Sequence, residues 1–162
     1  MAVTSKTNVM RLLEQKKIPY TAHAYPHEEG VAVDGVTVAA SLGQDPHAVF
    51  KTLVARGAAK AGYVFVIPVA ESLDLKKGAK AVGENDIELI PVRGILPLTG
   101  YVRGGCSPVG MKKQFPTLFH ESVLTLSRVI VSAGTIGWQV ELEPSALIAL
   151  VRGGTADLIA GG

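Results

Sequence analysis

The chain has 162 residues, of which 48% are hydrophobic and 19% charged, a balance that predicts one packed globular domain and excludes a disordered protein. Its formal net charge of +2 is too small for a protein that binds nucleic acid over a broad basic face. No apolar run reaches the roughly 20 residues that span a bilayer, the N-terminus lacks a signal-peptide pattern, and Cys106 is the lone cysteine, so we expect a cytoplasmic protein.

The sequence contains no repeat, low-complexity tract or linker, so we expect residues 1–162 to form a single domain. Apolar spacing, capping residues and glycine or proline stops predict the helices. They cover residues 5–17, 37–42, 72–82 and 144–152. Ser72 is the predicted cap of the third. Asp45 and Pro46 together predict the start of one more helix.

Short β-rich runs between turn residues predict the strands. They cover residues 20–25, 50–55, 63–69, 87–91, 101–103, 117–119, 128–132, 138–142 and 156–159. The turn at 57–62 predicts that the strands on either side of it pair as a hairpin. Because helices and strands do not alternate regularly, we expect an α/β (mixed α+β) domain with one mixed, curved sheet flanked by helices.

A glycine-rich loop at residues 100–113 stands out from the rest of the chain. It holds four glycines and Pro108, followed by Lys112 and Lys113. Glycine permits positive φ and close approach to backbone N–H groups, and proline restricts its own and the preceding residue. Such a loop with nearby cations suits a small polar ligand attached to phosphate. An ordinary two-turn connection is the alternative.

This loop, Gly-Tyr-Val-Arg-Gly-Gly-Cys-Ser-Pro-Val-Gly-Met-Lys-Lys, resembles the signature loop of the YbaK/ProX superfamily. These are free-standing aminoacyl-tRNA deacylases related to the editing domain of bacterial prolyl-tRNA synthetases. Four further blocks match in the expected order, at residues 23–27, 49–54, 73–77 and 131–134. The resemblance implies a partly closed, barrel-like sheet and the hydrolysis of an ester between a wrong amino acid and the 3′ end of tRNA.

The same resemblance implies which residues form the site. Lys51 would line the pocket, where it could polarise the ester carbonyl or, as we favour, hold the phosphate or ribose end of the 3′-terminal adenosine. Backbone N–H groups at Gly104 and Gly105 would stabilise negative charge on the carbonyl oxygen. The other residues expected to contact substrate are Tyr25, Ser107, Pro108, Ser132 and Gly134.

Without the resemblance, Lys51 is better explained as a solvated lysine at the start of a strand. Cys106 lacks an obvious His–Asp pair to activate it, and the family leaves this position variable, so we interpret it as a small loop residue. His23 and His27 flank Tyr25 but have no evident third ligand, and we expect no metal and no cofactor.

Residues 135–138 depart from the family pattern. Close relatives carry Lys-Arg-Gly-Leu where this chain has Thr-Ile-Gly-Trp, which removes two positive charges and adds an indole. The glycine-rich loop and the Leu-Asp-Leu-Lys-Lys block look closest to the branch that hydrolyses Cys-tRNA(Pro), in which the substrate thiol is thought to attack its own carbonyl. Branches acting on Ala-tRNA(Pro), or on Ser- and Thr-tRNAs, remain open.

The expected partner is the 3′ end of an aminoacyl-tRNA, with prolyl-tRNA synthetase as a second candidate. Two other classes of function are alternatives. A non-catalytic module could bind aminoacyl-tRNA or the synthetase without hydrolysis. An oxidoreductase would require Gly-x-Gly-x-x-Gly between a strand and a helix, and the sequence lacks that pattern.

Overall fold

The computed structural model describes residues 6–58 and 61–161, so the predicted helix start at Ser5 lies outside the described residues. Within these ranges the α-helices are α1 (Asn8–Gln15), α2 (Gly35–Ser41), α3 (Leu75–Val82), α4 (Val92–Thr99) and α5 (Pro144–Leu150). The strands are β1 (Tyr20–Ala24), β2 (Phe50–Arg56), β3 (Gly62–Pro68), β4 (Glu88–Leu89), β5 (Thr117–His120), β6 (Val129–Ser132), β7 (Trp138–Leu142) and β8 (Gly154–Ala156). A 3-10 helix covers Glu121–Thr125.

The strands form two sheets. The larger has the order β4-β2-β3-β5-β8; its β2–β3 hairpin is antiparallel, as predicted, whereas β5 pairs in parallel with both β3 and β8. The smaller is antiparallel, with the order β1-β7-β6. A parallel bridge between Val49 and Ile130 links the two. The mixed α/β class is therefore confirmed, with its strands divided between two linked sheets.

Polar side chains begin three of the helices by accepting hydrogen bonds from backbone N–H groups that have no partner inside the helix. Thr7 Oγ1 accepts from Met10 N at 3.2 Å at the start of α1, and Asp34 Oδ2 accepts from Thr37 N at 3.1 Å at the start of α2. None of the helices in the described ranges is long and apolar enough to cross a membrane.

Two predicted helix starts are wrong. Helix α3 begins after Asp74 instead of Ser72, because Asp74 Oδ1 accepts from the backbone N–H groups of both Lys76 and Lys77 at 3.0 Å. At Asp45 no helix forms: its carboxylate accepts from His47 N at 2.9 Å and the chain makes a turn. The residues that follow cannot continue as a helix, because Val49 already pairs with Ile130 on β6 as in a strand.

Helix α4 was not predicted, and the strand predicted at residues 101–103 is wrong. Pro97 lies inside α4, where the missing N–H and the ring disfavour a helix, so the sequence pattern argued against one. Tyr101 has no strand partner. Its N–H donates to Thr99 Oγ1 at 3.0 Å and its hydroxyl donates to the Val109 carbonyl at 2.5 Å, which ties the glycine-rich loop to the end of α4.

The last strand lies earlier than predicted. Strand β8 covers Gly154–Ala156 and pairs with β5, whereas Ile159 forms only an isolated bridge to Leu73. The parallel pairing with β5 determines this position, because each residue of β8 is matched to a residue of Leu118–His120.

The main hydrophobic core packs α1, α5 and the 3-10 helix against strands of both sheets. Its fully buried side chains include Leu13, Phe119, Val123, Leu142 and Leu147; burying each leucine stabilises the fold by about 1.5–3 kcal/mol. Phe50 and Cys106 belong to the same cluster. Since these two residues also line the cavity described below, one side of that cavity is supported by the core itself.

Candidate active site

A cavity of about 560 Å³ lies where the two sheets meet the glycine-rich loop. Its walls come from the residue after β1, the segment leading into α2, the start of β2, the glycine-rich loop, the end of β6 and the start of β7. Four of the residues predicted from the sequence line it: Tyr25, Lys51, Gly104 and Ser132. We call it the Lys51 cavity.

Lys51 is the second residue of β2 and its side chain is partly buried. Burial lowers the pKa of the Lys51 ammonium below its usual value, and the negative charges of Asp34 and Glu71 partly offset that change. No ion pair within the described residues involves Lys51. A partly desolvated cation therefore borders the cavity with its charge available to a ligand.

Gly104 occupies a corner of the loop that only glycine fits well. The Gly105 N–H donates to the Val102 carbonyl at 2.9 Å, and Gly104 has φ +88°, which is the arrangement of a type II turn. A Cβ on Gly104 would stand 2.6 Å from the Cβ of Ala32. The turn is thus held against the segment that leads into α2, and its backbone borders the cavity.

The remaining predicted residues pack within or beside the glycine-rich loop. Gly105 packs against the next turn, where an added Cβ would be 3.0 Å from the Ile136 nitrogen. Ser107 is fully buried, and its hydroxyl accepts from Val109 N at 3.3 Å. Pro108 is also buried, and Gly134 packs on the Tyr101 ring. These residues are not among those that line the cavity.

Tyr25 and Ser132 meet the cavity from the two outer strands of the smaller sheet, Tyr25 as the residue after β1 and Ser132 as the last residue of β6. Tyr25 is buried, with 8% of its surface exposed, and its N–H donates to the Gly137 carbonyl at 2.9 Å. The Ser132 hydroxyl accepts from Gly134 N at 3.0 Å. The turn that joins β6 to β7 therefore holds the backbone of Tyr25 and the side chain of Ser132.

That turn contains the Thr-Ile-Gly-Trp departure from the family pattern. Ile136 packs against the glycine-rich loop, because its backbone nitrogen lies close to Gly105. Gly137 lies against the His27 ring, which a Cβ at this position would overlap. Trp138 is partly buried and lines the cavity. The departure therefore forms part of the site and presents an indole to the ligand space.

Cys106 also lines the cavity, but as a neutral thiol. Burial raises the pKa of Cys106 to about 11, although a hydrogen bond with the Thr99 side chain acts in the opposite direction. A thiol with that pKa is protonated at neutral pH, whereas the nucleophilic form is the thiolate. The geometry favours the interpretation of Cys106 as a small loop residue.

Of the lysines that the sequence placed in or beside the site, Lys51 lines the cavity, whereas Lys112 and Lys113 do not. Lys112 donates to the Pro97 carbonyl at 3.3 Å, and the Lys113 ammonium lies over the Phe115 ring, 5.7 Å from its centre. The charged residues that line the cavity are Asp34, Lys51 and Arg103. Asp34 and Arg103 were missed, although Arg103 directly precedes the Gly-Gly pair and could have been found there.

The histidines at the end of β1 have partners of their own. His23 Nε2 lies 2.7 Å from Glu141 Oε1, and His27 Nδ1 lies 3.3 Å from the Tyr25 carbonyl. Among residues 6–58 and 61–161, no three His, Cys, Asp or Glu side chains are grouped closely enough to hold a metal ion.

A larger depression of about 680 Å³ shares no lining residue with the Lys51 cavity. Two of its three acidic side chains are already paired: Glu84 accepts from the Tyr63 hydroxyl at 2.6 Å and from Ala58 N at 3.2 Å, and Glu88 accepts from Arg56 Nε at 2.7 Å. None of the sequence-predicted site residues lies there. We therefore place the candidate site in the smaller cavity.

Comparison with known proteins agrees with this geometry. The profile of a family described as "Aminoacyl-tRNA editing domain" matches residues 30–150, a range that includes Lys51, Gly104, Ser132 and Trp138. A protein of Enterococcus faecalis (strain ATCC 700802 / V583), named "Putative Cys-tRNA(Pro)/Cys-tRNA(Cys) deacylase EbsC", is 45% identical over 153 residues, covering 94% of this chain and 93% of that protein.

Solved structures share the fold. One, described as "Crystal structure of a putative trans-editing enzyme for prolyl tRNA synthetase", has a TM-score of 0.82 and 24% identity, and the match covers 99% of this chain and 100% of that one. A second, of a hypothetical protein, has a TM-score of 0.83 and 21% identity over 94% of this chain and 99% of the other. At these identities the likeness concerns the fold alone.

Proposed function

Because this chain belongs to the aminoacyl-tRNA editing domain family, we propose that it hydrolyses the ester between a wrong amino acid and the 3′ end of tRNA. We further propose that residues 1–162 act as one editing domain in the cytoplasm, and that cysteine on tRNA(Pro) is the preferred substrate. The specificity is supported by the name of the 45% identical relative.

The observation that carries this proposal is that Lys51 and the Gly104 turn border one cavity. An ester is already activated toward hydrolysis, so the protein mainly has to position it and stabilise the negative charge that develops on the carbonyl oxygen. The Lys51 ammonium supplies a positive charge in a partly desolvated place, and the turn supplies backbone groups that a ligand can approach. Tyr25, Ser132 and Trp138 shape the space for the aminoacyl-adenosine.

We assign the role of nucleophile to water or to the substrate itself. Among the described lining residues the thiol of Cys106 is held neutral by burial. The carboxylate of Asp34 accepts from both Thr37 N and Thr37 Oγ1 through its Oδ2, which engages it at the start of α2. A cysteinyl ester carries its own thiol close to the carbonyl, so the cavity has only to fold the substrate into the reactive conformation.

Prolyl-tRNA synthetase is the partner that we propose for substrate delivery. A net charge of +2 provides little of the phosphate attraction that holds a whole tRNA, so recognition of the tRNA body would come from a protein that already binds it. Co-elution of the two proteins with tRNA(Pro), and faster deacylation when the synthetase is added, would support this partner.

A panel of mischarged tRNAs tests the proposed function. Cysteinyl, alanyl, seryl and threonyl tRNAs are incubated with the wild type, with Lys51→Ala, and with Lys80→Ala, which removes an exposed lysine of α3 and serves as the control. We expect cysteine to be released fastest, a loss of about 100-fold or more in Lys51→Ala, and no change in Lys80→Ala.

Each other outcome of the panel has its own meaning. A preference for alanine over cysteine would discard the Cys-tRNA(Pro) assignment. Wild-type rates in Lys51→Ala would remove that residue from the site. Binding of aminoacyl-tRNA without release of any amino acid would replace the hydrolase with a non-catalytic binding module.

A further inference from the structure

Arg103 stands at an exposed corner of the Lys51 cavity. It is the second residue of the turn that the Gly105 N–H closes onto the Val102 carbonyl, so its side chain leaves the loop at the bend. The residue is exposed and lines the cavity. The backbone on which it stands cannot shift easily, because the next residue, Gly104, packs against Ala32.

The guanidinium of Arg103 has no carboxylate partner among the residues that the structure describes. Two other arginines do have such partners: Arg56 pairs with Glu88 at 2.7 Å and Arg128 approaches Glu141 at 3.7 Å. Of the arginines without a carboxylate partner in the described ranges, Arg103 is the one that lines the cavity. The two lysines that follow the loop are turned to a carbonyl and to an aromatic ring. Arg103 is therefore an exposed cation without a carboxylate partner at the edge of the site, on a turn whose backbone packs against Ala32.

Two cations border the same cavity at different depths. Lys51 is partly buried, whereas Arg103 is exposed to solvent. The proposed substrate has a matching order of groups: the acylated ribose is its tip, and the phosphodiester to the preceding nucleotide is bonded to the 5′ oxygen of that ribose, on the side toward the rest of the tRNA. Guanidinium groups bind phosphate through paired, charge-assisted hydrogen bonds.

We propose that Arg103 binds the phosphodiester immediately before the terminal nucleotide, while the acylated ribose occupies the Lys51 cavity. The assignment rests on the proposed function for the identity of the ligand. It makes Arg103 a binding residue that holds the RNA end in register with the cavity, and it gives Arg103 no part in the chemistry of the ester.

The test compares Arg103→Ala with Arg93→Ala, the control, which removes an exposed arginine of α4 that does not line the cavity. Two substrates are used: cysteinyl-tRNA(Pro), and cysteinyl-adenosine, which carries no phosphate. For Arg103→Ala we expect KM for the tRNA to rise about tenfold with kcat unchanged, and no change for the adenosine ester. Arg103→Lys should recover part of the loss.

Salt dependence and binding provide readouts that do not rely on hydrolysis. An unacylated RNA oligonucleotide with the tRNA 3′ sequence is titrated at several salt concentrations. Removing one phosphate contact should reduce the slope of log affinity against log salt by about 0.7 for a single strand, in Arg103→Ala but not in Arg93→Ala.

The outcomes separate this inference from the proposed function. If the wild type hydrolyses the tRNA ester and Arg103→Ala has the same KM and salt slope, the inference fails and the function stands. If the wild type hydrolyses nothing, yet Arg103→Ala alone weakens oligonucleotide binding, the function fails and the phosphate contact stands. An equal loss on the phosphate-free ester would overturn the inference by placing Arg103 on the aminoacyl-adenosine.

Discussion

Ala32 and Gly104 are in such close contact that a Cβ on the glycine would lie 2.6 Å from the alanine Cβ and 3.1 Å from its Cα. This contact joins the segment that begins α2 to the glycine-rich loop, and both border the Lys51 cavity. The cavity wall formed by these two segments therefore depends on the absence of a side chain at residue 104.

Gly104→Ala is therefore expected to lose nearly all activity. The added Cβ must displace Ala32, and φ +88° is strained for alanine by about 1–3 kcal/mol. Gly83→Ala is the matched control, because Gly83 has φ +77° and nothing within 4 Å of an added Cβ. Both variants should show a lower free energy of unfolding in urea, but only Gly104→Ala should stop deacylation; equal activities would remove the loop from the site.

The pH dependence of activity should report on Lys51. If its ammonium must be charged, activity falls as pH rises through its pKa, which burial already lowers. Asp34→Asn removes a negative charge that raises the Lys51 pKa, while asparagine still caps α2. The alkaline fall should therefore move to lower pH in this variant.

The measurement is the deacylation rate from about pH 6 to about pH 10, with spontaneous ester hydrolysis subtracted. Asp74→Asn is the control, since Asp74 caps α3 in the same way but does not border the Lys51 cavity. Only the position of the alkaline fall is compared, because Asp34 itself lines the cavity. An unmoved profile in Asp34→Asn would mean that Lys51 does not act through its charge.

Cys106→Ser should retain activity within about threefold, because a thiol with a pKa of about 11 supplies no thiolate nucleophile at neutral pH. The wild-type protein should also react slowly with iodoacetamide at pH 7, and its labelling rate should rise only in strongly alkaline buffer. Complete loss of turnover in the serine variant would restore Cys106 as a nucleophile, provided that its far-UV circular dichroism spectrum shows an unchanged secondary structure.

The parts of the fold that were predicted correctly depend on local chemistry. The β2–β3 hairpin follows from two β-rich runs around a glycine-bounded turn, and α1 and α5 follow from apolar spacing and a proline start. Helix α4 could not be predicted, because Pro97 is a local signal against a helix that packing overrides. The strand predicted at residues 101–103 failed for the opposite reason: its residues favour a strand, but Tyr101 bonds to Thr99 and Val109 instead.

The candidate site was only partly accessible from the sequence. Lys51, Gly104, Tyr25 and Ser132 came from the family resemblance, and they line one cavity. Asp34 joins them through tertiary packing of segments far apart in the chain, which no local pattern encodes, whereas Arg103 directly precedes Gly104 and could have been found from the glycine-rich loop. Lys112 and Lys113 show the reverse, since proximity in sequence to the glycine-rich loop does not bring their charges to the cavity.

The pairing of β1 with β7 matches Tyr20 with Leu142, so one wall of the Lys51 cavity is completed by residues from the last quarter of the chain. Contacts of such wide sequence separation form late in folding. A growing polypeptide still on the ribosome thus carries Lys51 and the Gly104 turn before Trp138 has been added. Chains that terminate before Trp138 would consequently lack one wall of the cavity and would not hydrolyse aminoacyl-tRNA, whereas chains that include β7 could.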